Sequence, residues 1–138
     1  MKKMKTNFFY FYYYKMMYFL ESFDFDMDNL TLLPSQLPEY KDKLFMIMVK
    51  ADWCGHCKTA TPEFEKACEM LKNDNVIFCF VNVTGKTPAE VETKPLVSKF
   101  FKDFRGFPNI TSFKNGKEFV KYNGPRNAES FIKFVKEN

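Results

Sequence analysis

A pair of cysteines between an apolar run and an amphipathic pattern constrains this chain more than any other feature. Cys54 and Cys57 come shortly after the apolar run of residues 44–49, and helical spacing begins after Cys57. Two thiols separated by two residues can face each other across one helical turn, so they can interconvert between dithiol and disulfide within one fold. A helix N-terminus stabilises negative charge, and the thiolate is the reactive form of cysteine. The pattern therefore predicts a strand–turn–helix unit with an exposed, reactive Cys54.

The composition indicates one folded domain. The 138 residues are 46% hydrophobic, which is typical of a globular protein and not of a disordered one. The net charge of +4 comes mainly from scattered lysines, with Arg105 and Arg126 as the arginines. No basic cluster is interleaved with stacking aromatic residues, so no nucleic-acid partner is expected.

The remaining cysteines indicate core positions. Cys68 and Cys79 stand alone on a predicted helix face and a predicted buried strand, where cysteine behaves as a small hydrophobe. A zinc site at Cys54 and Cys57 would need two more ligands, and no second Cys-x-x-Cys supplies them. We therefore expect no metal and predict redox chemistry at the close pair.

Residues 1–20 are predicted to be an N-terminal extension with two open interpretations. A lysine-rich start followed by an aromatic and apolar run resembles a signal peptide or signal anchor. Lys15 interrupts the run, tyrosines dominate it and no small-x-small cleavage site follows, so a disordered or surface-packed extension is the alternative. A signal would imply a secretory lumen such as the endoplasmic reticulum, and otherwise the cytoplasm is expected. Membrane contact is expected only through residues 1–20.

Hydrophobic periodicity predicts a single α/β domain over residues 21–138. Alternation of Phe and Met with Asp predicts a half-exposed strand at residues 23–28, and continuous apolar runs predict strands buried on both faces. Asn115-Gly116 is a hairpin signal, and a polar loop is expected at residues 84–95. The other predicted elements are a short helix at 34–40, strands at 44–49 and 76–81, a helix from 57 to about 72, a helix at 96–104, strands at 109–113 and 117–122, and a closing helix at 127–135.

Several motifs at matching spacing resemble the thioredoxin superfamily over residues 23–136. The run Trp53-Cys54-Gly55-His56-Cys57-Lys58 is similar to the active-site motif of protein disulfide isomerase domains, whereas thioredoxin has proline at the position of His56. Residues 104–110 resemble the segment that carries the family's cis-proline, and residues 113–117 resemble its hairpin. Pro62 matches its helix-kinking proline. The resemblance implies a thioredoxin fold, an α/β architecture with a mixed central β-sheet flanked by helices on both faces.

The resemblance also implies roles at the cysteine pair. Cys54 would be the nucleophile, and Cys57 would be the buried thiol that resolves the mixed disulfide. His56 is well placed between them to stabilise the Cys54 thiolate, which would make the disulfide a stronger oxidant. No organic cofactor is expected.

The expected substrate-binding residues are Trp53, Gly55, Phe107 and Pro108. Trp53 would shield the cysteines and offer a flat apolar contact. The resemblance implies a cis peptide before Pro108, which would lie against the disulfide and keep a metal from bridging the sulfurs. A substrate strand would pair with the backbone of Phe107.

One position departs from the family pattern. Members of the family carry a buried acid six residues before the first cysteine, where it takes a proton from the resolving thiol, and this chain has Met48 there. Asp52 is expected to lie too near the surface to replace that acid. Resolution by Cys57 is therefore expected to be slow, unless another group or water accepts the proton.

The sequence favours a thiol–disulfide oxidoreductase that oxidises or isomerises disulfides of proteins. Its partners would be protein thiols and disulfides, together with an oxidase or reductase. A cytosolic reductant of the same family is one alternative. A redox-silent binding or structural protein is the other, favoured by Met48 and opposed by the retention of Trp53, both cysteines and Pro108.

Overall fold

The computed structural model describes residues 17–138, so predictions made for residues 1–16 lie outside the described part. In chain order the strands are β1 (Met17–Leu20), β2 (Phe25–Asp26), β3 (Thr31–Leu32), β4 (Leu44–Lys50), β5 (Val76–Asn82), β6 (Asn109–Lys114) and β7 (Lys117–Lys121). The α-helices are α1 (Gly55–Met70), α2 (Pro88–Thr93), α3 (Val97–Phe100) and α4 (Ala128–Glu137). Short 3-10 helices span Ser22–Asp24, Pro34–Gln36, Pro38–Tyr40 and Lys94–Leu96.

The centre of the fold is a five-stranded mixed sheet in the order β1-β5-β4-β6-β7. Both β1 and β4 run parallel to β5, whereas β6 runs antiparallel to its neighbours β4 and β7. The parallel strands β4 and β5 are joined by α1, because parallel neighbours need a crossover connection. The predicted thioredoxin fold with a mixed central sheet is confirmed.

Alternation along the two central strands builds a core on each face of the sheet, because successive side chains point to opposite sides. One face packs against α1 and α4, and its buried members include Met46, Met48, Phe78, Phe80, Ile110, Phe64 and Phe131. The other face packs against α3 and the segments before β4, and its buried members include Ile47, Val49, Cys79, Val81, Val97, Phe100 and Phe113. Helices are therefore present on both faces, but the helix predicted at residues 96–104 is shorter, since α3 follows the 3-10 turn at Lys94–Leu96 and ends at Phe100.

The N-terminal boundary differs from the sequence analysis. Residues 17–20 had been assigned to the extension, yet they form β1, whose Met17 to Leu20 pair with Phe78 to Val81 of β5. The aromatic run that resembled a targeting segment thus ends as an edge strand of the central sheet. The nature of residues 1–16 stays a prediction.

The strand predicted at residues 23–28 is present only at Phe25–Asp26. The chain forms a 3-10 helix at Ser22–Asp24, and β2 then pairs with β3 in a separate two-stranded sheet. Asp26 accepts hydrogen bonds from the N–H of Asp28 at 2.9 Å and from the side chain of Asn29, so it makes a turn. Asp24, expected on an exposed face, is fully buried and accepts the Glu21 N–H at 2.8 Å.

Two predicted segments differ from the structure in their helices. One predicted loop contains an α-helix, and one predicted helix consists of 3-10 turns. The polar loop expected at residues 84–95 contains α2, because Thr87 caps it by accepting the Glu90 N–H at 3.2 Å and Pro88 starts it. The short helix predicted at 34–40 is two 3-10 turns separated at Leu37.

Pro62 lies inside α1 as expected. Within residues 17–138, no helix has the length and apolar character needed to cross a membrane.

Candidate active site

Cys54 lies at the junction of the central sheet and its main helix. Strand β4 ends at Lys50, and a turn closed by the Cys54 N–H donating to the Ala51 carbonyl at 3.1 Å leads into α1. Cys54 is the N-cap of that helix, and its Sγ accepts the Cys57 N–H at 3.1 Å. The helix N-terminus is therefore directed at sulfur, an arrangement that favours a negatively charged sulfur. Both cysteines are present as thiols.

The two thiols differ in environment. Cys54 is 9% exposed and Cys57 is 2% exposed, so Cys54 is the more accessible, although it is less open than the sequence suggested. Burial and the hydrogen bond with Cys54 raise the pKa of the Cys57 thiol above its usual range, while the Ala51 backbone and the charge of Lys50 act in the opposite direction. Cys57 is therefore held as a thiol at neutral pH.

The predicted substrate-contact residues surround the mouth of this pair. Trp53 is 59% exposed, and its ring meets that of Phe107 edge-on, with centroids 5.2 Å apart. The Phe107–Pro108 peptide is cis, as the resemblance implied. Gly55 begins α1 in open space, where no atom would contact an added Cβ within 4 Å. The structure thus places an exposed indole and the start of β6 beside the cysteines.

The family's acid position is occupied by Met48, and Asp52 does not replace that acid. Met48 is fully buried and is paired across the sheet with Phe80 on one side and Ile110 on the other. Asp52 lies at the surface, where its carboxylate approaches Lys50 at 3.6 Å and Lys86 at 3.8 Å. The side chain near the site that the sequence analysis missed is Lys50, which is 14% exposed and has its Nζ 5.3 Å from the centroid of the Phe80 ring.

A cavity of about 600 Å³ opens at the first turn of α1, where His56 and Thr59, on either side of Cys57 in the chain, are among its lining residues. His56 and Pro108 line one part of it, so the single histidine of the chain faces this space. Arg105 and Arg126 line another part, although no role is predicted for them from the sequence. Their signal in the sequence was their rarity, since they are the only two arginines in the chain.

The other two cysteines are core residues. Cys68 packs on the face of the sheet that carries α1, while Cys79 packs on the opposite face. Burial raises the pKa of Cys68 to about 12 and that of Cys79 well above its usual range. Among the residues that the structure describes, no three His, Cys, Asp or Glu side chains come together as a group able to hold a metal ion.

The comparison with family models agrees with this geometry. The Thioredoxin model matches residues 34–137, which include the cysteine pair, the cis-proline and the hairpin. The chain belongs to the thioredoxin family.

Relatives of this thioredoxin-family chain include proteins named for disulfide exchange. A protein disulfide-isomerase of Hordeum vulgare is 42% identical over 90 residues, which are 63% of this chain and 16% of the relative. The thioredoxin-like protein 453L of Invertebrate iridescent virus 6 is 31% identical over 133 residues, which are 88% of this chain and 93% of the relative. The J-Trx1 fragment of ERdj5 has a TM-score of 0.66 at 18% identity, covering 92% of this chain and 53% of that fragment, and shows the fold alone.

The coverage of these relatives differs. The chain spans under a fifth of the length of the protein disulfide-isomerases that it matches, which are 16% and 18% covered in two cases. It spans nearly all of the viral thioredoxin-like protein. Family membership and these relatives together support thiol–disulfide chemistry at the cysteine pair.

Proposed function

We propose that this chain is a thiol–disulfide oxidoreductase of protein substrates, working as an oxidase or isomerase of disulfides through Cys54 and Cys57. The observation that carries the proposal is the position of Cys54, whose sulfur caps α1 and accepts the Cys57 N–H at 3.1 Å. A sulfur held by a helix N-terminus is favoured as thiolate, both as attacking group and as leaving group.

In the oxidising direction, a substrate thiolate attacks Cys54 of the protein disulfide. The Cys54–Cys57 bond breaks, a substrate–Cys54 bond forms, and Cys57 leaves as a thiolate that takes up a proton. A second substrate thiolate then attacks the substrate sulfur and releases Cys54. Two electrons pass from the substrate dithiol to the protein pair, so turnover needs a disulfide-bearing oxidase as partner. In isomerisation the pair ends as it began, because Cys54 attacks one substrate disulfide and is released by another substrate thiol.

The surrounding side chains support substrate contact. The exposed indole of Trp53 and the ring of Phe107 form an apolar surface beside Cys54. We propose that an extended substrate segment pairs with the backbone of Phe107 near the cis peptide and passes close to Gly55. His56, in the first turn of α1, would stabilise the reduced form and so favour oxidation of substrates over their reduction.

A redox-silent binding protein is favoured by one specific observation. Met48 is fully buried between apolar neighbours, so the base expected for deprotonation of Cys57 is absent from its family position. The raised pKa of Cys57 would then slow resolution. Both observations predict slow turnover rather than no exchange, because attack requires only Cys54.

Trapping of mixed disulfides tests the proposal. Reduced Cys57→Ser protein is mixed with ribonuclease whose disulfides have been scrambled, and products are separated without reductant. We expect adducts that disappear with dithiothreitol, because the resolving thiol is missing and the bond at Cys54 persists. The matched control is Cys54→Ser/Cys57→Ser, which keeps Cys68 and Cys79 and should form no adducts. Absence of adducts from Cys57→Ser, or equal amounts from the double variant, would reject the mechanism.

A further inference from the structure

The cavity beside the cysteine pair carries an unusual charge. Arg105, Lys121 and Arg126 line it, and no Asp or Glu is among the described residues that do so. The chain has 17 acidic residues and only two arginines, yet both arginines lie at this one cavity. A cationic space at the first turn of α1, lined by His56 from between the two cysteines, favours an anionic group on whatever enters it.

The local structure positions both arginines. Arg126 follows a loop in which Tyr122 donates a hydrogen bond from its hydroxyl to the Pro125 carbonyl. Gly124 permits this contact, since an added Cβ would lie 2.7 Å from the Tyr122 hydroxyl. The hydrogen bond between Tyr122 and Pro125 therefore fixes the backbone immediately before Arg126.

The backbone at Arg105 is positioned by the turn that precedes β6. It precedes Gly106, whose φ of +143° favours glycine, and the rings of Phe104 and Phe107 pack edge-on with centroids 5.3 Å apart around that turn. The same turn leads directly into the cis peptide at Pro108. The position of Arg105 is thus tied to the segment proposed to contact substrate.

The chemistry of the lining identifies the class of ligand. A guanidinium binds a carboxylate through two parallel hydrogen bonds, a geometry that lysine cannot supply. The cavity also has apolar walls at Phe107, Ile110 and Tyr122, which suit the aliphatic part of an acidic side chain and a peptide backbone. His56 connects this space to the cysteine pair.

We infer that the cavity is a substrate subsite that selects protein segments with Asp or Glu close to the reacting cysteine. This inference rests on the proposed function, because it assigns a specificity to the same exchange reaction. Arg105 and Arg126 would bind the carboxylate while the substrate sulfur meets Cys54. The subsite would accelerate formation of the mixed disulfide and leave its resolution by Cys57 unchanged.

Two matched peptide disulfides test the subsite. Each is a symmetrical dimer joined by one disulfide, and the two differ only in having Glu or Gln two residues from the cysteine. Reduced protein converts each dimer into two peptide thiols and becomes the Cys54–Cys57 disulfide. The rate compared is that of the first step, in which Cys54 forms the mixed disulfide and one peptide thiol is released, and the fluorescence of Trp53 follows this step. Each rate is divided by the rate of the same peptide with dithiothreitol, which removes the intrinsic difference in reactivity between the two disulfides.

We expect the normalised rate of the Glu peptide to exceed that of the Gln peptide by about three- to tenfold at low ionic strength. The ratio should fall towards one near 1 M salt, where the screening length is about 3 Å. In Arg105→Gln/Arg126→Gln the ratio should be close to one at every salt concentration. The control Lys99→Gln removes one charge from α3, outside the cavity lining, and should leave both rates unchanged.

Each other result overturns a stated part of the argument. Equal normalised rates in the wild type would reject the subsite while leaving the exchange reaction intact. A ratio that survives loss of both arginines, or that falls as much in Lys99→Gln, would assign the preference to overall charge and reject the cavity. Failure of both peptides to react would remove the proposed function and the subsite together.

Discussion

Replacing Met48 with Glu would place a carboxyl group at the family's acid position in a core that lacks a partner for it. The Met48 side chain is fully buried, and its cross-strand neighbours are Phe80 and Ile110. The nearest cation along the same strand face is Lys50, whose Nζ lies over the Phe80 ring at 5.3 Å from its centroid. The loss of stability in Met48→Glu therefore measures how poorly this core accommodates a charged side chain.

The expected loss of stability follows from the pKa of the introduced carboxyl. A glutamate has a pKa of about 4.3 in an unfolded chain, and full burial raises it by roughly 3 units or more. Each pKa unit corresponds to about 1.4 kcal/mol, so ionisation of Glu at this position lowers the free energy of unfolding by about 4 kcal/mol. The charge of Lys50 offsets only part of this loss. Domains of this kind have a free energy of unfolding of about 5–15 kcal/mol, so the variant should keep about 1–11 kcal/mol at alkaline pH and unfold at a lower urea concentration than the wild type.

The pH dependence has a definite sign. The folded-state pKa lies above the unfolded value, so the folded state binds the proton more tightly and is favoured below about pH 4. Stability then falls as the pH rises towards the folded-state pKa and is constant above it. Urea unfolding between pH 5 and pH 9 under reducing conditions would show this.

The matched control for this experiment is Met48→Gln. It buries a polar group of similar size and should lose a pH-independent amount of about 1–3 kcal/mol. The informative quantity is the difference between the two variants, after both are compared with wild type at each pH. A difference that stays constant from pH 5 to pH 9 would refute the claim that this position is a dry apolar core.

Two further predictions concern the thiols and their neighbours. His56→Pro should make the pair more reducing by about 30–90 mV in glutathione buffers, because the reduced form loses its imidazole partner; an unchanged or more oxidising potential would contradict this. In the reduced native protein at pH 7.5, iodoacetamide should modify Cys54 at least 100-fold faster than Cys68, since a pKa of about 12 leaves roughly one thiolate in thirty thousand. Rapid native modification of Cys68, before guanidinium unfolds the chain, would refute the burial argument.

The strongest sequence signals were those with local physical causes. The runs at residues 44–49 and 76–81 are apolar at every position because both faces of β4 and β5 are covered. Asn115-Gly116 forms the expected turn between β6 and β7, with positive φ at both residues. These features depend on short stretches of chain, so they were readable in isolation.

The two errors near the N-terminus have different causes, a pairing with a distant strand and a local turn. Met17–Leu20 is a strand because β5 pairs with it, and nothing within the aromatic run itself indicates that partner. The alternation at residues 23–28 had the period of a strand, but Asp26 bonds its own following backbone and turns the chain. Local hydrogen bonds outweighed the periodicity there.

The candidate site likewise contains residues whose placement is predictable from the sequence and residues whose placement is not. The position of Cys54 at the start of α1 followed from the sequence, since a buried strand leads into it and a helical pattern leaves it. Arg105 and Arg126 are distant in the sequence, and only the tertiary structure brings them to one cavity. Arg105 lies within the segment that resembles the family's cis-proline region, but nothing in that segment or around Arg126 indicates that the two residues line one cavity.

The redox equilibrium of the Cys54–Cys57 pair in glutathione buffers tests the central claim most directly. Trp53 is the only tryptophan and is adjacent to Cys54, so its fluorescence reports the state of the pair, and Cys54→Ser serves as the control without a transition. We predict one reversible two-electron transition with a potential near −180 mV, about the value of a disulfide isomerase. A potential near −270 mV would indicate a reductant instead, and the absence of any reversible transition would contradict the proposed oxidoreductase.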